Sequence, residues 1–434
     1  MSSRPGWLGP LAERQFRLLW IGQSASAIGD GLTFLAIAFA VLHIGGKATD
    51  LGLVFAAFFA AYVSFVLVGG VWADRLPRQL VMVAADVVRG VVQVIIGLLL
   101  LTGEAQVWQI AIGVAVYGAG SAFFQPASTG LIPQTVSAGR LQQANALMSM
   151  SRNGGSILGP PVSGLIVAIA GPGTVFMIDA ATFAISAISL LLLRPVQRSS
   201  SEERQPFLAE LAGGWREVVA RPWIGAALVA FGISNASGAA FFILGPVIAD
   251  AQLGGAAAWG LILTGGAIGG VLGGLLALRF RPRRPLLVGF AIMCLIALQP
   301  LSLVGPAPVL LIAGAFLLGF GAGELTNTWW FTMLQQHVPE HARSRVSSYD
   351  WLVSFIFQPL GFLAVGPLSQ AVGFTATLVG AASLLLLTYI VVTLLPSIRS
   401  VTWVQMEASD QLDNAGVAPP DSSAGAAPGA SAAG

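Results

Sequence analysis

Long apolar runs separated by short polar connectors dominate the pattern of this chain. Twelve runs have about the 20 residues that an α-helix needs to cross the hydrocarbon core of a membrane. The pattern predicts helices near 16–42, 51–72, 80–101, 107–127, 141–168, 174–193, 223–249, 256–278, 286–304, 308–331, 346–369 and 374–395. Helices satisfy their own backbone hydrogen bonds in lipid, so the expected fold class is all-α integral membrane.

Polar segments divide the twelve predicted helices into two groups of six. The long polar connector 194–222 separates a bundle at 16–193 from a second bundle at 223–396. Its second part has helical apolar spacing from Phe207 to Val219, which predicts an amphipathic helix on the membrane surface; a plain solvated linker is the alternative. Outside the bundles we expect a short segment at 1–15 and a disordered tail at 397–434, rich in Ala, Gly, Pro and Ser.

A glycine-led, arginine-rich connector occurs once in each half. Gly70 to Arg78 reads G-V-W-A-D-R-L-P-R, and Gly274 to Arg283, 204 positions later, reads G-L-L-A-L-R-F-R-P-R. Duplication of this kind predicts two pseudo-symmetric halves with a binding site where they meet. It also allows the halves to rock against each other, which is typical of a transporter.

Composition and charge placement support a membrane location and give an orientation. Hydrophobic residues make up 56% of the 434 and charged residues 9%, whereas a soluble domain has about 25% charged residues. Eighteen arginines fall in segments on one side of the predicted membrane, and Lys47 alone falls on the other. Because positive residues in short loops stay inside, both termini are expected in the cytoplasm. Twenty arginines against one lysine, with heavy use of Ala, Gly and Val, indicate a GC-rich bacterial genome, so we expect a bacterial inner membrane.

Charged residues inside the predicted spans are the candidates for chemistry: Asp30, Asp86, Arg89, Arg152 and Glu324. Each costs about 2.5–3.5 kcal/mol at the membrane centre without a partner, so each needs a counter-charge, water or a proton. Asp86 and Arg89 are three apart and predict a mutual, structural pair. The predicted spans thus contain three acids and two arginines, which leaves one acid without a basic partner. We therefore expect proton coupling at Asp30 or Glu324, with Arg152 competing for the deprotonated acid; static pairing with arginines is the alternative.

The six-plus-six pattern and several phrases resemble a known family of transporters. The phrases are the Gly70 connector, Pro126–Pro133 (P-A-S-T-G-L-I-P), Ala144–Leu147 (A-N-A-L) and Gln335–Pro339 (Q-Q-H-V-P). From about Phe16 to Pro396 the chain resembles the major facilitator superfamily. Within it, the chain looks most like the twelve-span drug:proton antiporters that include macrolide-efflux proteins and siderophore exporters.

The resemblance implies a gate at the first connector, formed by Gly70, Asp74, Arg75 and Arg78. In the family the aspartate, here Asp74, faces the N-terminus of the eleventh span, where a helix dipole favours a carboxylate. The arginines would tie neighbouring helices and hold the inner gate shut; a role in topology alone is the alternative. Leu278 takes the place of the aspartate in the second half, so the matching latch there is expected to be weak or absent.

The fifth span and the cavity wall supply the remaining candidates. Gly155, Gly159, Pro160 and Gly164 match the exporter motif of the superfamily, and small residues with a proline also predict close helix packing and a bend. Spans one, four, seven and ten line the cavity in this family. The expected wall residues are Tyr117, Phe123, Phe124, Gln125, Asn235, Phe241, Asn327, Trp329 and Trp330. Asp179 and Asp350 lie nearer span ends and are expected to be interfacial anchors.

Enzyme and nucleotide sites are not indicated. His337 to His341 matches H-x-x-E-H, but Pro339 interrupts the helix that a zinc site of this type needs. The chain has no G-x-x-x-x-G-K-[ST] loop for ATP. Its single cysteine, Cys294, allows no internal disulfide. We expect no catalytic residues, no metal or cofactor, no nucleic acid and a monomer in the lipid bilayer.

The expected function is secondary active transport. The resemblance implies export of amphipathic drugs or secondary metabolites by alternating access, driven by the proton gradient, with antibiotic resistance as the consequence. Aromatic residues with a few amides and an acid suit a small amphipathic substrate, including a cation. A lysophospholipid flippase or an importer of the same fold is the first alternative. A membrane-embedded enzyme or receptor without transport is the second.

Overall fold

The computed structural model describes residues 6–194, 215–305 and 307–404. Side chains at 6–8, 67, 70, 71, 73, 74, 340, 341, 344, 345, 347, 348, 351, 352, 354 and 355 lie outside the description. The long helices are α1 (Arg14–His43), α2 (Ala48–Arg75), α3 (Arg78–Thr102), α4 (Val107–Leu131), α5 (Leu141–Ala170), α6 (Pro172–Leu191), α7 (Pro222–Ile248), α8 (Gly255–Arg279), α9 (Pro285–Ser302), α10 (Val309–His337), α11 (Glu340–Val372) and α12 (Phe374–Leu394). The part of the chain that is described contains no strand, so the expected all-α class is confirmed.

Each predicted span overlaps one of these helices. Among the described residues, eleven helices are long and apolar enough to cross a membrane. The exception is α11, whose apolar part is limited to Ile356–Val372. Its first half carries Arg343, Asp350 and other polar residues, which reduces its mean hydropathy. A membrane crossing by α11, and with it the twelve-span layout, stays a prediction.

Two glycines occupy equivalent turns in the two halves. Gly171 joins α5 to α6 with φ 80° and ψ 164°, and Gly373 joins α11 to α12 with φ 85° and ψ 162°. A positive φ of this size is strained for residues with a Cβ, so both turns require glycine. They are separated by about the same number of residues as the two arginine-rich connectors. This agreement supports the predicted duplication.

The helices pack as two sets that meet at two seams. In the first set α1 packs against α5 and α6, α2 against α4, and α3 against α4 and α6. In the second set α7 packs against α11 and α12, α8 against α10, and α9 against α10 and α12. The sets meet mainly where α2 packs on α11 and where α5 packs on α8.

Both seams are closed at the same side of the membrane. We call the side that holds the arginine-rich connectors the arginine side, and the other the opposite side. Gly366 of α11 lies against Thr49 near the start of α2, and Gly164 near the end of α5 lies against Ala256 of α8. Phe362 of α11 is the centre of an aromatic layer closer to the membrane middle. These contacts all lie in the opposite half of the membrane, and the cavities described below lie on the arginine side of them.

The segments that flank the helices differ in part from the expectation. Residues 207–214 of the predicted amphipathic helix lie outside the described residues, whereas 215–219 are helical and Trp215 contacts Tyr349 with ring centroids 5.7 Å apart. The tail was expected to be disordered from 397, which is wrong for its first residues. Ile398 is fully buried, and the indole N–H of Trp403 donates to the Pro282 carbonyl at 2.7 Å. Residues 405–434 lie outside the description.

Candidate functional site

Charged residues line three neighbouring cavities of the described residues, one in each helix set and one between the sets. The first cavity, about 250 Å³, is enclosed by α1 to α5 and includes Asp30 and Arg152. The second cavity, about 320 Å³, is enclosed by α7 and α9 to α12 and includes Glu324 and Asp350. A central cavity of about 550 Å³ lies between the sets, against α1, α5, α7, α8 and α10. Their volumes suit small molecules.

A charged trio of Asp30, Arg89 and Asp86 lies beside the first cavity, whose wall includes Asp30 and Arg89. Arg89 donates to Asp86 at 2.5 Å, and its other terminal nitrogen is 3.7 Å from Asp30. The Tyr117 hydroxyl donates to Asp30 at 2.6 Å. The side chain of Asp30 is 41% exposed, whereas those of Arg89 and Asp86 are almost completely buried. Asp30 is therefore the member of the trio that water or a solute can reach.

The Arg89 guanidinium is also held between two aromatic rings. It lies 4.2 Å from the centroid of Phe124 and 4.3 Å from that of Phe183. Cation–π contacts of this kind are worth up to about 2 kcal/mol when desolvated. The predicted pair of Asp86 and Arg89 is thus present, but the pair is not only structural, because Arg89 extends from α3 to Asp30 on α1.

Arg152 lies in the same cavity as Asp30 without forming an ion pair with it. It lines both the first and the central cavity and is exposed. Among the described residues, no carboxylate oxygen lies within 4.0 Å of its guanidinium. Arg89, and not Arg152, is the arginine that approaches Asp30. That Arg152 competes with the proton for a deprotonated acid stays a prediction.

Asp179 on α6 is not an interfacial anchor, which corrects the expectation from its position. Its side chain is fully buried and accepts hydrogen bonds from Thr33 at 2.7 Å, Thr182 at 3.1 Å and the amide of Gln93. An added methyl group at Gly29 would collide with its carboxyl group, so glycine at that position makes the approach of α1 and α6 possible. Asp179 joins α1, α3 and α6 behind the trio.

Asp350 on α11 is also not at an interface with water and lipid. It is 7% exposed and lines the second cavity together with Glu324. Glu324 is partly buried on α10. The residues that line this cavity include two carboxylates and no basic side chain. The second cavity is therefore an acidic site.

The other expected wall residues are divided between the cavities and the core. Tyr117, Phe124 and Gln125 line the first cavity, and Asn235, Asn327 and Trp330 line the second. Three lie elsewhere: Phe123 packs on Phe65 and Trp72, Trp329 packs on Phe280, and Phe241 is fully buried against Trp259 and Phe316.

Phe242 and Phe320 are cavity residues that sequence reasoning missed. Both line the central and the second cavity. Phe242 directly follows Phe241, so one step along α7 separates the core face from the cavity face. The tandem of phenylalanines was a signal for an aromatic wall but did not indicate which ring faces inward.

An aromatic layer closes the cavities toward the opposite side. The ring of Phe362 on α11 stacks on Phe55 and Phe59 of α2 with centroids 5.5 Å and 5.3 Å apart. Phe34 of α1 contacts Phe58 edge-on at 5.2 Å. These rings join α1 and α2 to α11, and all of them except Phe58 line, together with Phe242 and Trp259, a further cavity of about 200 Å³.

The glycine and proline set of α5 contacts both neighbouring helices. Added methyl groups at Gly155 and Gly159 would collide with the backbone of α1, and one at Gly164 would collide with the Ala256 carbonyl of α8. Likewise, an added methyl group at Gly260 of α8 would collide with the Pro160 carbonyl. The four positions therefore allow α5 to pack closely on α1 and, across the seam, on α8.

The first connector is described only in part. The Arg78 guanidinium donates to the Gly130 carbonyl at the end of α4 at 2.6 Å, which ties α3 to α4. Arg75 is exposed. The side chains of Gly70 and Asp74 lie outside the described residues, so the expected latch to α11 stays a prediction. In the second half, Leu278 is 68% exposed.

The histidine motif is divided between two helices. α10 ends at His337, and α11 begins at Glu340 after Pro339. The Nδ1 atom of His337 lies 3.1 Å from the Met333 carbonyl. The two halves of the motif are therefore not aligned on one helix face, as the zinc motif requires.

Comparisons with known proteins agree with this architecture. The family model described as Major Facilitator Superfamily matches residues 19–361. The chain is 27% identical over 412 residues to the multidrug efflux pump Tap of Mycolicibacterium fortuitum, covering 91% of this chain and 97% of that one. It is 26% identical over 394 residues to the enterobactin exporter EntS of Escherichia coli O1:K1 / APEC, covering 86% and 91%.

A solved structure shows the same fold at low sequence identity. A bacterial homolog to the human lysosomal transporter Spinster, in an inward-facing and unoccupied conformation, aligns with a TM-score of 0.72 and 16% identity over 90% of this chain and 98% of that one. The residues that match the family model make up most of the chain. Their helices surround cavities that are lined by charged residues of the membrane-spanning segments. The chain is a membrane transporter that belongs to the Major Facilitator Superfamily.

Proposed function

We propose that this transporter exports small amphipathic compounds across a bacterial inner membrane in exchange for protons. The names of Tap and EntS, an efflux pump and an exporter, support the direction. The arginine distribution supports the assignment of the arginine side to the cytoplasm. On that assignment both termini are cytoplasmic and the described conformation opens its cavities inward, ready to take up a solute from the cytoplasm.

The arrangement of Asp30, Arg89 and Asp86 is the observation that carries the proposal. With both acids ionised the trio has a net charge of −1, and with a proton on Asp30 it is neutral. When Asp30 takes that proton, Arg89 keeps Asp86 as its counter-ion, so no buried guanidinium is left alone. Asp30 can therefore gain and lose a proton while the rest of the trio stays paired.

A transport cycle follows from this arrangement. An ionised Asp30 attracts Arg89 and accepts from Tyr117, which draws α3 and α4 toward α1. A protonated Asp30 interacts less strongly with Arg89, and the three helices can shift. Because α1 packs directly on α5, and α5 forms one seam between the halves, a shift at Asp30 can bias the rocking motion. Glu324 remains a second candidate for proton exchange in the acidic cavity.

Two different structural features close the cavities at the two sides of the membrane. The aromatic layer around Phe362 closes the cavities toward the outside and must separate when the protein opens outward. The Gly70, Asp74, Arg75 and Arg78 connector would then close the cytoplasmic side, with Asp74 against the start of α11. The glycine and proline set of α5 would keep its seam with α8 tight during this motion, which prevents a leak.

Vesicle transport with an acid-to-amide substitution tests the proposal. Inside-out vesicles from an efflux-deficient host that expresses the protein should accumulate fluorescent amphipathic dyes when a proton gradient is imposed, and an uncoupler should abolish this. Asp30→Asn should remove proton-driven accumulation. Glu104→Gln, at an exposed position outside the site, is the matched control and should transport normally.

Two outcomes would overturn parts of the proposal. Uncoupler-insensitive accumulation would contradict proton coupling. Full proton-driven accumulation by Asp30→Asn would remove Asp30 from the mechanism, and the same test on Glu324→Gln would then decide whether the second acid carries the proton.

A further inference from the structure

Arg152 is a membrane-embedded charge that the proposed proton exchange does not use. It is exposed within the first and central cavities, and no carboxylate of the described residues lies within ion-pair distance. Asp30, the nearest acid in the same cavity wall, already accepts from Tyr117 and faces Arg89. A cation in this position needs water or an anionic ligand as its partner.

The opposite charge lies on the other side of the central space. Glu324 and Asp350 line the second cavity with the indole of Trp330 and no basic side chain. In the printed sequence, α7, α9, α10 and α12 contain no Lys or Arg, α8 ends at Arg279, and α11 has Arg343 and Arg345 in its first two turns, at the arginine side. A cationic group would therefore meet two acids and an aromatic ring here.

An aromatic surface joins these two charged regions. The central cavity contains Arg152 together with Phe242 and Phe320, and the same two rings line the second cavity beside Glu324. Phe242 is 37% and Phe320 is 45% exposed. The central and second cavities therefore adjoin at these two rings, with Arg152 lining one cavity and Glu324 the other.

We propose that the preferred solute is dipolar: an anionic group binds at Arg152, an apolar or aromatic body lies on Phe242 and Phe320, and a cationic group binds at Glu324 and Asp350. This inference rests on the proposed function and specifies its substrate class as amphipathic zwitterions. It assigns Arg152 and Glu324 as the residues that determine specificity. A purely cationic solute would be repelled at Arg152, and a purely anionic solute would be repelled at the two acids.

Three probes on one scaffold test the inference. They share a fluorescent naphthalene core and carry an alkylammonium group, a carboxylate, or both groups at opposite ends. Binding to purified full-length protein in detergent is measured by quenching of tryptophan fluorescence, because Trp330 lines the second cavity. The zwitterion should bind at least about tenfold more tightly than either singly charged probe, as expected when one more charge contact is made.

Substitutions should change this preference in opposite directions. Arg152→Gln should reduce zwitterion affinity about tenfold, to the level of the cation, without weakening the cation itself. Arg152→Lys retains the charge and should keep most of the preference. Glu324→Gln should weaken the zwitterion and the cation but not the anion. Glu104→Gln should leave all three affinities unchanged.

Contrary results separate the inference from the proposed function. Equal affinity of the cation and the zwitterion, with no effect of Arg152→Gln, overturns the dipolar site while proton-driven export can still hold. The expected binding pattern without proton-driven flux of any probe in vesicles overturns the proposed function and leaves the binding site in place.

Discussion

Removal of Asp86 should block proton coupling even though Asp86 does not reach the cavity. In the protein, Arg89 is 2% exposed and has two carboxylate neighbours, Asp86 at 2.5 Å and Asp30 at 3.7 Å. After Asp86→Asn, Asp30 is the remaining acid of the trio. Protonation of Asp30 would then leave a buried guanidinium without a counter-ion, so Asp30 is held in its ionised form and the proton cycle stops.

The size of this effect follows from the cost of breaking a buried ion pair, about 3–5 kcal/mol. Since each 1.36 kcal/mol corresponds to about tenfold in rate, proton-driven flux should fall by a factor on the order of 10² or more. Exchange of labelled for unlabelled solute requires no net proton movement. It should therefore continue in the same proteoliposomes, which shows that the variant is folded and still rocks.

A second substitution restores the charge balance. Asp86→Asn combined with Arg89→Gln leaves Asp30 as a single acid, whose charge again alternates between −1 and 0. Proton-driven flux of the double variant should exceed that of Asp86→Asn alone. The reasoning is refuted if Asp86→Asn transports like the unaltered protein, or if the double variant exchanges solute but shows no recovery of proton-driven flux.

The remaining predictions concern packing and the buried acid. Gly155→Ala should lower thermal stability in detergent, because the added methyl group meets the backbone of α1, whereas Gly154→Ala, with open space around it, should have little effect; equal melting temperatures would contradict this. Asp179→Leu should destabilise the protein by about 1–3 kcal/mol, since Thr33 and Gln93 lose their shared carboxylate acceptor in a buried site and keep only the Gly29 carbonyl and the Thr33 hydroxyl as acceptors. Asp179→Asn keeps an acceptor oxygen and should therefore destabilise the protein less than Asp179→Leu does. A lower melting temperature for Asp179→Asn than for Asp179→Leu would contradict this prediction.

Helix positions were predictable from sequence, but helix rotations were not. Runs of apolar residues define a span because lipid excludes unpaired backbone groups. Lipid is as apolar as the interior of a bundle, so hydrophobicity does not tell which face of a span is buried. This is why Phe241 was expected at the cavity, whereas the structure places Phe242 there.

Contacts between distant spans were the other part that sequence could not supply. Spacing alone identified the pair of Asp86 and Arg89, because both lie on one helix. That Arg89 also reaches Asp30, and that Asp179 accepts from Thr33 and Gln93, depends on how α1, α3 and α6 pack. Position near a span end suggested interfacial roles for Asp179 and Asp350, but the neighbouring helices bury both.

Distance measurement between spin labels on the two halves tests alternating access most directly. After Cys294→Ala, labels at Ile169→Cys near the end of α5 and Val372→Cys at the end of α11 report on the separation of the halves at the opposite side, where both native side chains are exposed. If Asp30 governs the rocking motion, acidification should shift the distance distribution of the otherwise unaltered protein, and Asp30→Asn should abolish the shift. A distribution that does not respond to pH, or an equal response in the Asp30→Asn variant, would contradict proton control of the two halves.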